Sequence, residues 1–232
     1  MKDRRLFLQT TATLGLAAFA TGLSAAHADD RKDKPDEEVG AAEDLMREHG
    51  VLNRVLLIYE EGLRRLRKKE EVTPDAFHKP ATLVRKFVED YHEKLEEKFI
   101  FPAFEKKKLL TDLVKVLLKQ HQAGRDLTEV VLREAAADRF RKEDNRKELV
   151  VAVEAFIRMY RPHEAREDTV LFPALHKVFT VKQLKDLGEQ FEKEEDRLFG
   201  DEGFEKTVDQ VAAIEKQLGI HDLEQFTPKL KK

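Results

Sequence analysis

One short block of sequence occurs twice in this chain, 71 positions apart. Residues 92–102 and 163–173 both contain His-x-x-x-Glu followed by Phe-Pro, and an alanine follows each proline. An upstream histidine belongs to each copy, His49 to the first and His121 to the second, and these two lie 72 positions apart. Two helix pairs duplicated in this way can close around an approximate two-fold axis, which brings the matching side chains face to face.

Four long stretches carry apolar residues in alternating steps of four and three, which is the spacing of one buried helix face. The pattern predicts an all-α fold, an up-down antiparallel four-helix bundle over residues 41–178. Thr111 is the predicted N-cap of the third helix, and the second helix is expected to end near Pro102. The four stretches start at Leu45, Val84, Val114 and Leu149.

Residues 179–232 form a predicted C-terminal helical extension of two helices. Thr180 and Gln183 have the spacing of a capping box at its start, and apolar residues then recur at helical spacing to Leu218, with a break at the glycines 200 and 203. We expect these helices to pack on the end of the bundle or on a partner. Nothing in their sequence suggests a site.

The first residues have the organisation of an export signal. Lys2 to Arg5 are all charged, an apolar run follows from Leu6 to Leu23, and Ala26-His27-Ala28 is a possible cleavage site. The Arg4-Arg5 pair resembles a twin-arginine signal, so residues 1–28 are predicted to be removed and the mature protein to be periplasmic or otherwise exported. Residues 29–40 are predicted to be a disordered linker. An uncleaved membrane anchor is less favoured because the run is short for a spanning helix and rich in small residues.

Composition excludes several chemistries. The chain has no cysteine, so a disulfide, a thiolate metal site and a cysteine nucleophile are all excluded, and any metal must be held by nitrogen and oxygen ligands. The formal net charge is −3, and it becomes −5 once the three cations and one anion of residues 1–28 are removed. This mild acidity argues against a nucleic-acid partner. The sequence leaves the oligomeric state open.

The repeated block places an imidazole and a carboxylate on one helix face, because positions i and i+4 are neighbours on a helix. This holds for His92 with Glu96 and for His163 with Glu167. A lone histidine on an apolar face is more often a hydrogen-bonded core residue, and a lone His-x-x-x-Glu is equally weak as a signal. Four such histidines and two such pairs at matched spacing predict a metal site, because buried carboxylates and imidazoles need a partner that offsets their desolvation.

At these residues the chain resembles the hemerythrin-like family, also called the HHE cation-binding domain. The resemblance covers roughly residues 41–178 and implies two metal ions in the bundle, with Glu96 and Glu167 bridging them and two histidines on each metal. Glu93 matches a position that supplies a further carboxylate in some relatives. The alternative that we favour is that the neighbouring acids, including Glu93, are solvated or support the ligands from behind. The metal ligands implied are His49, His92, Glu96, His121, His163 and Glu167; the neighbouring acids are Glu93, Glu97, Glu164 and Asp168.

One position departs from the oxygen-carrying members of the family, which have a further histidine one helical turn after the third. Here that position is Arg125. The departure implies a more open, unsymmetrical or solvated coordination and puts stable reversible oxygen carriage in doubt. Arg125 could instead neutralise a bound anion or pair with a carboxylate of the site.

Imidazole and carboxylate ligands suit iron, manganese or zinc, and the family resemblance implies iron. The leading hypothesis is a di-iron protein that binds or senses O2 or a related small oxidant. The alternatives are a di-iron oxidoreductase that consumes peroxide or nitric oxide, with Tyr59, Tyr91 or Tyr160 as relays, and a metal-storage or partner-binding helical protein. The other histidines, His27, His78, His176 and His221, are predicted to be surface or signal residues.

Overall fold

A computed structural model describes residues 40–229, and every regular element in that part of the chain is helical. The predicted signal segment at residues 1–28 lies outside the described residues, as does the predicted linker apart from Gly40, which precedes the first helix. Within the described residues, no helix combines the length and the apolar character that crossing a membrane requires.

Four long helical runs correspond to the four apolar stretches, and two further helices follow. The first, α1, is Ala41–Lys68. The second, α2, covers residues 75–107 as the consecutive segments Asp75–Leu83, Val84–His92, Glu93–Leu95, Glu96–Ile100 and Phe101–Lys107. The third, α3, is Thr111–Glu134, followed by a single turn at Ala137–Phe140. The fourth, α4, covers residues 143–178 as Glu143–Arg166, Glu167–Leu171, Phe172–Ala174 and Leu175–Val178. The extension contains α5, Val181–Phe199, α6, Gly203–Leu218, and a 3-10 turn, Leu223–Phe226.

Both copies of the repeated block contain a π-helical segment that begins at the glutamate and ends just before the Phe-Pro pair. The amide of Phe101 donates to the carbonyl of Glu96, and the amide of Phe172 donates to that of Glu167, in each case across five residues instead of four. The expectation that the second helix ends near Pro102 is therefore wrong, since α2 continues to Lys107. Pro102 stands in the first turn of the segment that restarts after the widened turn, where its missing N–H costs no hydrogen bond.

The two predicted helix caps have opposite outcomes. Thr180 caps α5, its side chain accepting from the amide of Gln183 while the Gln183 side chain accepts from the amide of Thr180, so the capping box is confirmed. Thr111 is not an N-cap, because Leu110 holds that position with a left-handed φ of 51° and Thr111 is already helical. The tight turn after α2 starts the third helix one residue earlier than the capping preference of threonine suggests.

The buried apolar faces of the helices form one continuous core. The extension packs along the flank of α1 and α2, whereas we expected it at the end of the bundle or on a partner. Near one end of this flank Phe191 contacts Phe99, with ring centroids 6.0 Å apart. On α1, Arg54 donates to both carboxylate oxygens of Glu215 in α6, at 2.8 and 2.6 Å.

Candidate metal centre

The six side chains predicted as metal ligands are all buried, and they come from all four long helical runs. They form two groups of three, and within each group the potential ligand atoms lie within 4.8 Å of one another. In each group a histidine from α1 or α3 meets a histidine and glutamate from a repeated block. The groups are His49, His92 and Glu96, and His121, His163 and Glu167.

Each glutamate also reaches a histidine of the other group. One carboxylate oxygen of Glu96 and one of Glu167 each lie near the Nε2 atoms of two histidines, one from either group. Each of these carboxylates therefore lies between imidazoles of both groups. The distances from carboxylate oxygen to Nε2 are 3.7 Å to His92 and 3.4 Å to His121 for Glu96, and 3.1 Å to His163 and 3.4 Å to His49 for Glu167.

The opposite ring nitrogen of each histidine has its own hydrogen-bond acceptor. Because carboxylate and amide oxygens accept, each Nδ1 carries the proton and each Nε2 presents its lone pair to the centre when the imidazole is neutral. Sequence reasoning missed two of these acceptors, Glu48 and Gln120, although each immediately precedes a predicted ligand and they share the 72-residue offset. The pairs are His49 with Asp168 at 2.7 Å, His92 with Glu48 at 2.7 Å, His121 with Glu97 at 3.2 Å and His163 with Gln120 at 2.9 Å.

Several polar atoms that face the centre are buried without a hydrogen-bond partner. Both carboxylate oxygens of Glu96, both of Glu167 and the Nε2 of His121 are in this state. Leaving such groups unsatisfied costs about 1–3 kcal/mol each and more when they are charged. A pair of cations would satisfy these atoms, and four imidazole nitrogens with two carboxylates are a suitable ligand set for iron, manganese or zinc. The residues present therefore fit a two-metal centre.

Burial and nearby charge shift the pKa values of the candidate ligands. Burial lowers the pKa of His92 to about 3 and that of His121 to about 4, so both are neutral at physiological pH. Burial also opposes a charge on His49, but the hydrogen bond to Asp168 and the nearby carboxylate of Glu167 outweigh it and raise its pKa to about 10. Burial raises the pKa of Glu96 well above its usual range, and the nearby charge of Glu167 adds to this. Protons on His49 and Glu96 thus offset negative charge of the buried carboxylates, as bound metal ions would.

The phenylalanines of the repeated block close the centre from the side. The ring of Phe101 lies 5.4 Å from that of His121, and the ring of Phe172 lies 5.5 Å from that of His49, centroid to centroid. Both phenylalanines are buried and they follow the same pattern in the two halves. The Phe-Pro signature therefore supplies an apolar wall that keeps water from the imidazoles.

Arg125 is engaged by acids of the site. Its guanidinium lies 2.7 Å from a carboxylate oxygen of Glu93 and 2.5 Å from one of Glu97. Glu93 accepts a further hydrogen bond, at 2.8 Å, from the hydroxyl of Tyr160. Of the two roles considered for Arg125, the structure shows the pairing with a carboxylate.

The four neighbouring acids do not share one environment. Glu97 and Asp168 hold histidines and are partly exposed, whereas Glu93 and Glu164 are buried and are not solvated acids. Burial raises the pKa of Glu93 well above its usual range and that of Glu164 to about 8. Asn53 donates a hydrogen bond to Glu164.

Of the three tyrosines, Tyr160 is adjacent to the centre. Its ring lies 5.5 Å from that of His163, and its hydroxyl occupies a space that exists because residue 124 is glycine. A Cβ atom on Gly124 would lie 2.0 Å from that hydroxyl oxygen. Tyr91 instead donates at 3.3 Å to Glu195 of α5, and Tyr59 packs against phenylalanine rings.

The extension contributes one buried acid, Glu195, that was not predicted from the sequence. Glu195 has a carboxylate oxygen within 4.8 Å of those of Asp44 and Glu48, and it accepts from the amide of Phe204 at 2.7 Å. Glu48 in turn accepts the hydrogen bond from His92. Among the other histidines, His78, His176 and His221 lie away from the centre, and His27 is outside the described residues.

Comparison with known proteins gives a family match and close relatives. Residues 40–175 match the family model described as the hemerythrin HHE cation binding domain. The uncharacterized protein Rv1995 of Mycobacterium tuberculosis (strain ATCC 25618 / H37Rv) and the uncharacterized protein Mb2018 of Mycobacterium bovis are each 46% identical to this chain over 231 residues. That alignment covers 97% of this chain and 91% of each relative. No solved structure matches the chain significantly.

Proposed function

Because the chain belongs to the hemerythrin HHE cation-binding family, we propose that it is a di-iron protein that binds or senses O2 or a related small oxidant. The observation that supports this best is the convergence of four Nε2 atoms on two carboxylates whose oxygens are buried and have no hydrogen-bond partner. In this proposal His49 and His92 would hold one ion, His121 and His163 would hold the other, and Glu96 and Glu167 would be carboxylate ligands to both. Manganese and zinc suit the same ligands and are the alternatives that the metal analysis distinguishes.

Two iron ions at this centre would together supply the two electrons that a bound oxidant takes up. The chain's own residues prepare the centre for them. Hydrogen bonds at Nδ1 orient the imidazoles, and the phenylalanine walls keep water away. The proposal includes the up-down antiparallel order of the four long helical runs and export of the mature protein through the twin-arginine segment.

A second candidate, a di-iron oxidoreductase that consumes peroxide or nitric oxide, is supported by the polar side chains next to His163. The hydroxyl of Tyr160, hydrogen-bonded to Glu93, offers a proton donor beside the centre. Arg125 occupies the position of the histidine of oxygen-carrying members of the family and lies 2.7 Å from the other carboxylate oxygen of Glu93.

The test of the proposal is elemental analysis together with an optical spectrum of the mature protein, repeated for His121→Ala. We expect about two irons per chain in the unchanged protein, and a reduced iron content with an altered spectrum in the variant. Stoichiometric zinc would exclude the redox function. Absence of any metal would leave a partner-binding helical protein.

The binding protein and the enzyme differ in turnover. A spectral change that reverses when O2 is removed indicates the binding protein. Consumption of peroxide or nitric oxide well above that of free iron, lost in Glu96→Ala, indicates the enzyme. Tyr160→Phe separates the two further, because it removes the proton donor and leaves all six metal ligands in place.

A further inference from the structure

A groove between the first part of α2 and the C-terminal extension has no part in the metal centre. Its volume is about 460 Å³, within the range of about 300–1,000 Å³ that small-molecule sites occupy. It is lined by residues of α2 from Lys79 to Phe87 and by residues of α6 from Thr207 to Gln217. Phe199, the last residue of α5, also lines it. At 1.5 Å per residue these stretches of α2 and α6 are about 12 and 15 Å long, so the groove is elongated.

The floor of the groove is apolar. Leu83, Phe87 and Ile214 line it and are buried. The ring of Phe199 is partly exposed and lies 5.7 Å from that of Phe87, centroid to centroid. Apolar surface that a ligand removes from water contributes favourably to binding, so this floor suits an alkyl chain.

The rim of the groove is polar, and its free hydrogen-bond donors are cationic or amide groups. The hydroxyls of Thr82 and Thr207 each donate to a carbonyl of their own helix at 2.9 Å, so their protons are already used. The remaining donors of the rim are the exposed side chains of Lys79, Lys86, Gln210 and Gln217.

The charge of the rim favours an anionic ligand. Two lysines line the groove and, among the described residues, no acid does, although the whole chain has a formal net charge of −3. Lys79 is paired with Asp75 at 2.9 Å. Lys86 makes no ion pair with any residue that the structure describes, so its ammonium group is available to a ligand. A lysine ammonium beside an apolar floor attracts an anionic head group attached to an apolar chain.

We propose that this groove binds a saturated fatty acid of about ten carbons, with its carboxylate at Lys86 and its chain along the apolar floor. An extended chain advances about 1.2 Å per bond, so a chain of this length matches the stretch of about 12 Å on α2. The inference goes beyond the proposed metal function and does not depend on it, because no candidate metal ligand lines the groove.

The test is isothermal titration calorimetry of the full-length mature protein with decanoate, and we expect one molecule bound per chain. Hexanoate should bind about thirtyfold more weakly or less, because four fewer methylene groups leave water. Decanol should bind about tenfold more weakly than decanoate, because it has the same chain and lacks the charge that Lys86 would bind. Absence of decanoate binding, or equal binding of decanoate and decanol, would overturn the inference.

Variants of two lining residues locate the ligand. Lys86→Met should weaken decanoate binding by about tenfold and leave decanol binding unchanged. Ala213→Phe places a ring in the groove from an exposed position of α6 and should abolish binding of both, whereas Ala213→Ser should retain it. The matched control is Lys119→Met, at an exposed position of α3 outside the groove, which should change neither affinity. An unchanged decanoate affinity in Lys86→Met contradicts the assignment, and this exposed position tests it even if Ala213→Phe does not fold by circular dichroism.

Other occupants of the groove give different results. If a second copy of the chain covers it, sedimentation will show a dimer that Ala213→Phe dissociates, and decanoate will not bind; this outcome rejects the fatty acid. Binding to phosphatidylcholine vesicles without binding of free decanoate also rejects it. Metal content should be the same in Lys86→Met as in the unchanged protein, so elemental analysis of both proteins separates failure of this inference from failure of the proposed metal function.

Discussion

His49 is distinguished from the other histidines of the centre by a strongly raised pKa. Its Nδ1 lies 2.7 Å from Asp168, and its Nε2 lies 3.4 Å from Glu167. These contacts overcome the burial that opposes a charge and raise the pKa to about 10 in the metal-free protein. At neutral pH the ring therefore carries a proton on the nitrogen that a metal needs.

Metal binding should therefore release a proton from His49 at pH 7, and the apparent metal affinity should rise with pH up to about 10. His49 contributes at most about a tenfold increase in the apparent metal affinity per pH unit, because one proton leaves for each ion bound at this histidine. The measurement is calorimetric titration in buffers of different ionisation enthalpy. In Asp168→Asn the pKa of His49 should fall, so fewer protons leave and the slope is flatter. Equal proton release in both proteins would contradict this prediction.

The six side chains of the centre could be predicted from the sequence because both the helical periodicity and the internal duplication single them out. A residue four positions after a histidine on the buried face of a helix lies on that same face, whatever the tertiary structure. Glu48 and Gln120 could not be predicted in this way, because a residue next to a candidate ligand lies off the helix face that carries it. Each of them finds its histidine partner only on a neighbouring helix. The pairing of Arg125 with Glu93 likewise depends on how two helices meet.

Gly124 should be intolerant of a side chain. A Cβ atom there would lie 2.0 Å from the hydroxyl oxygen of Tyr160 and 2.8 Å from its Cζ. We expect Gly124→Ala to lower the free energy of unfolding by about 1–3 kcal/mol, measured by urea denaturation of the metal-free protein. The control is Gly50→Ala in α1, where nothing lies within 4 Å of the new Cβ. That change should raise stability by about 0.5–1 kcal/mol, and equal effects at the two glycines would contradict the packing argument.

At the scale of the elements, the sequence identified the helices better than their ends. Each of the four apolar stretches lies in a long helical run, because burial of an apolar face outweighs local residue preferences. Proline was an unreliable end signal for α2, because the π-helical turn from Glu96 removes the steric and hydrogen-bond conflict at Pro102. Such turns depend on tertiary packing, and single-residue propensities do not predict them.

The two threonines proposed as caps provide a test at this scale. Thr180→Ala should destabilise α5 by about 1 kcal/mol, because it removes the acceptor for the amide of Gln183. Thr111→Ala should change stability by less than about 0.5 kcal/mol, since Leu110 holds the N-cap position. Hydrogen exchange of the α5 and α3 amides measures both effects locally. Equal loss of protection in the two helices would contradict the assigned caps.

For the whole molecule, folding without metal favours the protonated form of the buried Glu96 carboxyl, whereas metal binding requires its ionised form. Burial raises the pKa of Glu96 well above its usual range, and the charge of Glu167 adds to this. Because the folded-state pKa exceeds the unfolded one, the metal-free fold loses stability as the pH rises above the unfolded value. Metal ions bound at the proposed centre would reverse this cost, because they would stabilise the folded state and link all four long helical runs.

Glu96→Gln should therefore have effects of opposite sign in the two forms of the protein. In the metal-free form it should raise the free energy of unfolding at pH 7 by about 1–3 kcal/mol and much less at pH 5, because an amide takes up no proton on folding. In the metal-loaded form it should be the less stable protein, since a bridging ligand is lost and with it linkage of about 2.7 kcal/mol at a metal concentration 100 times the dissociation constant. The measurement is denaturant unfolding of both proteins with metal and with chelator. Glu43→Gln, at an exposed position of α1, should show no change of sign, so a change confined to Glu96 shows that metal binding, and not packing, requires the carboxylate.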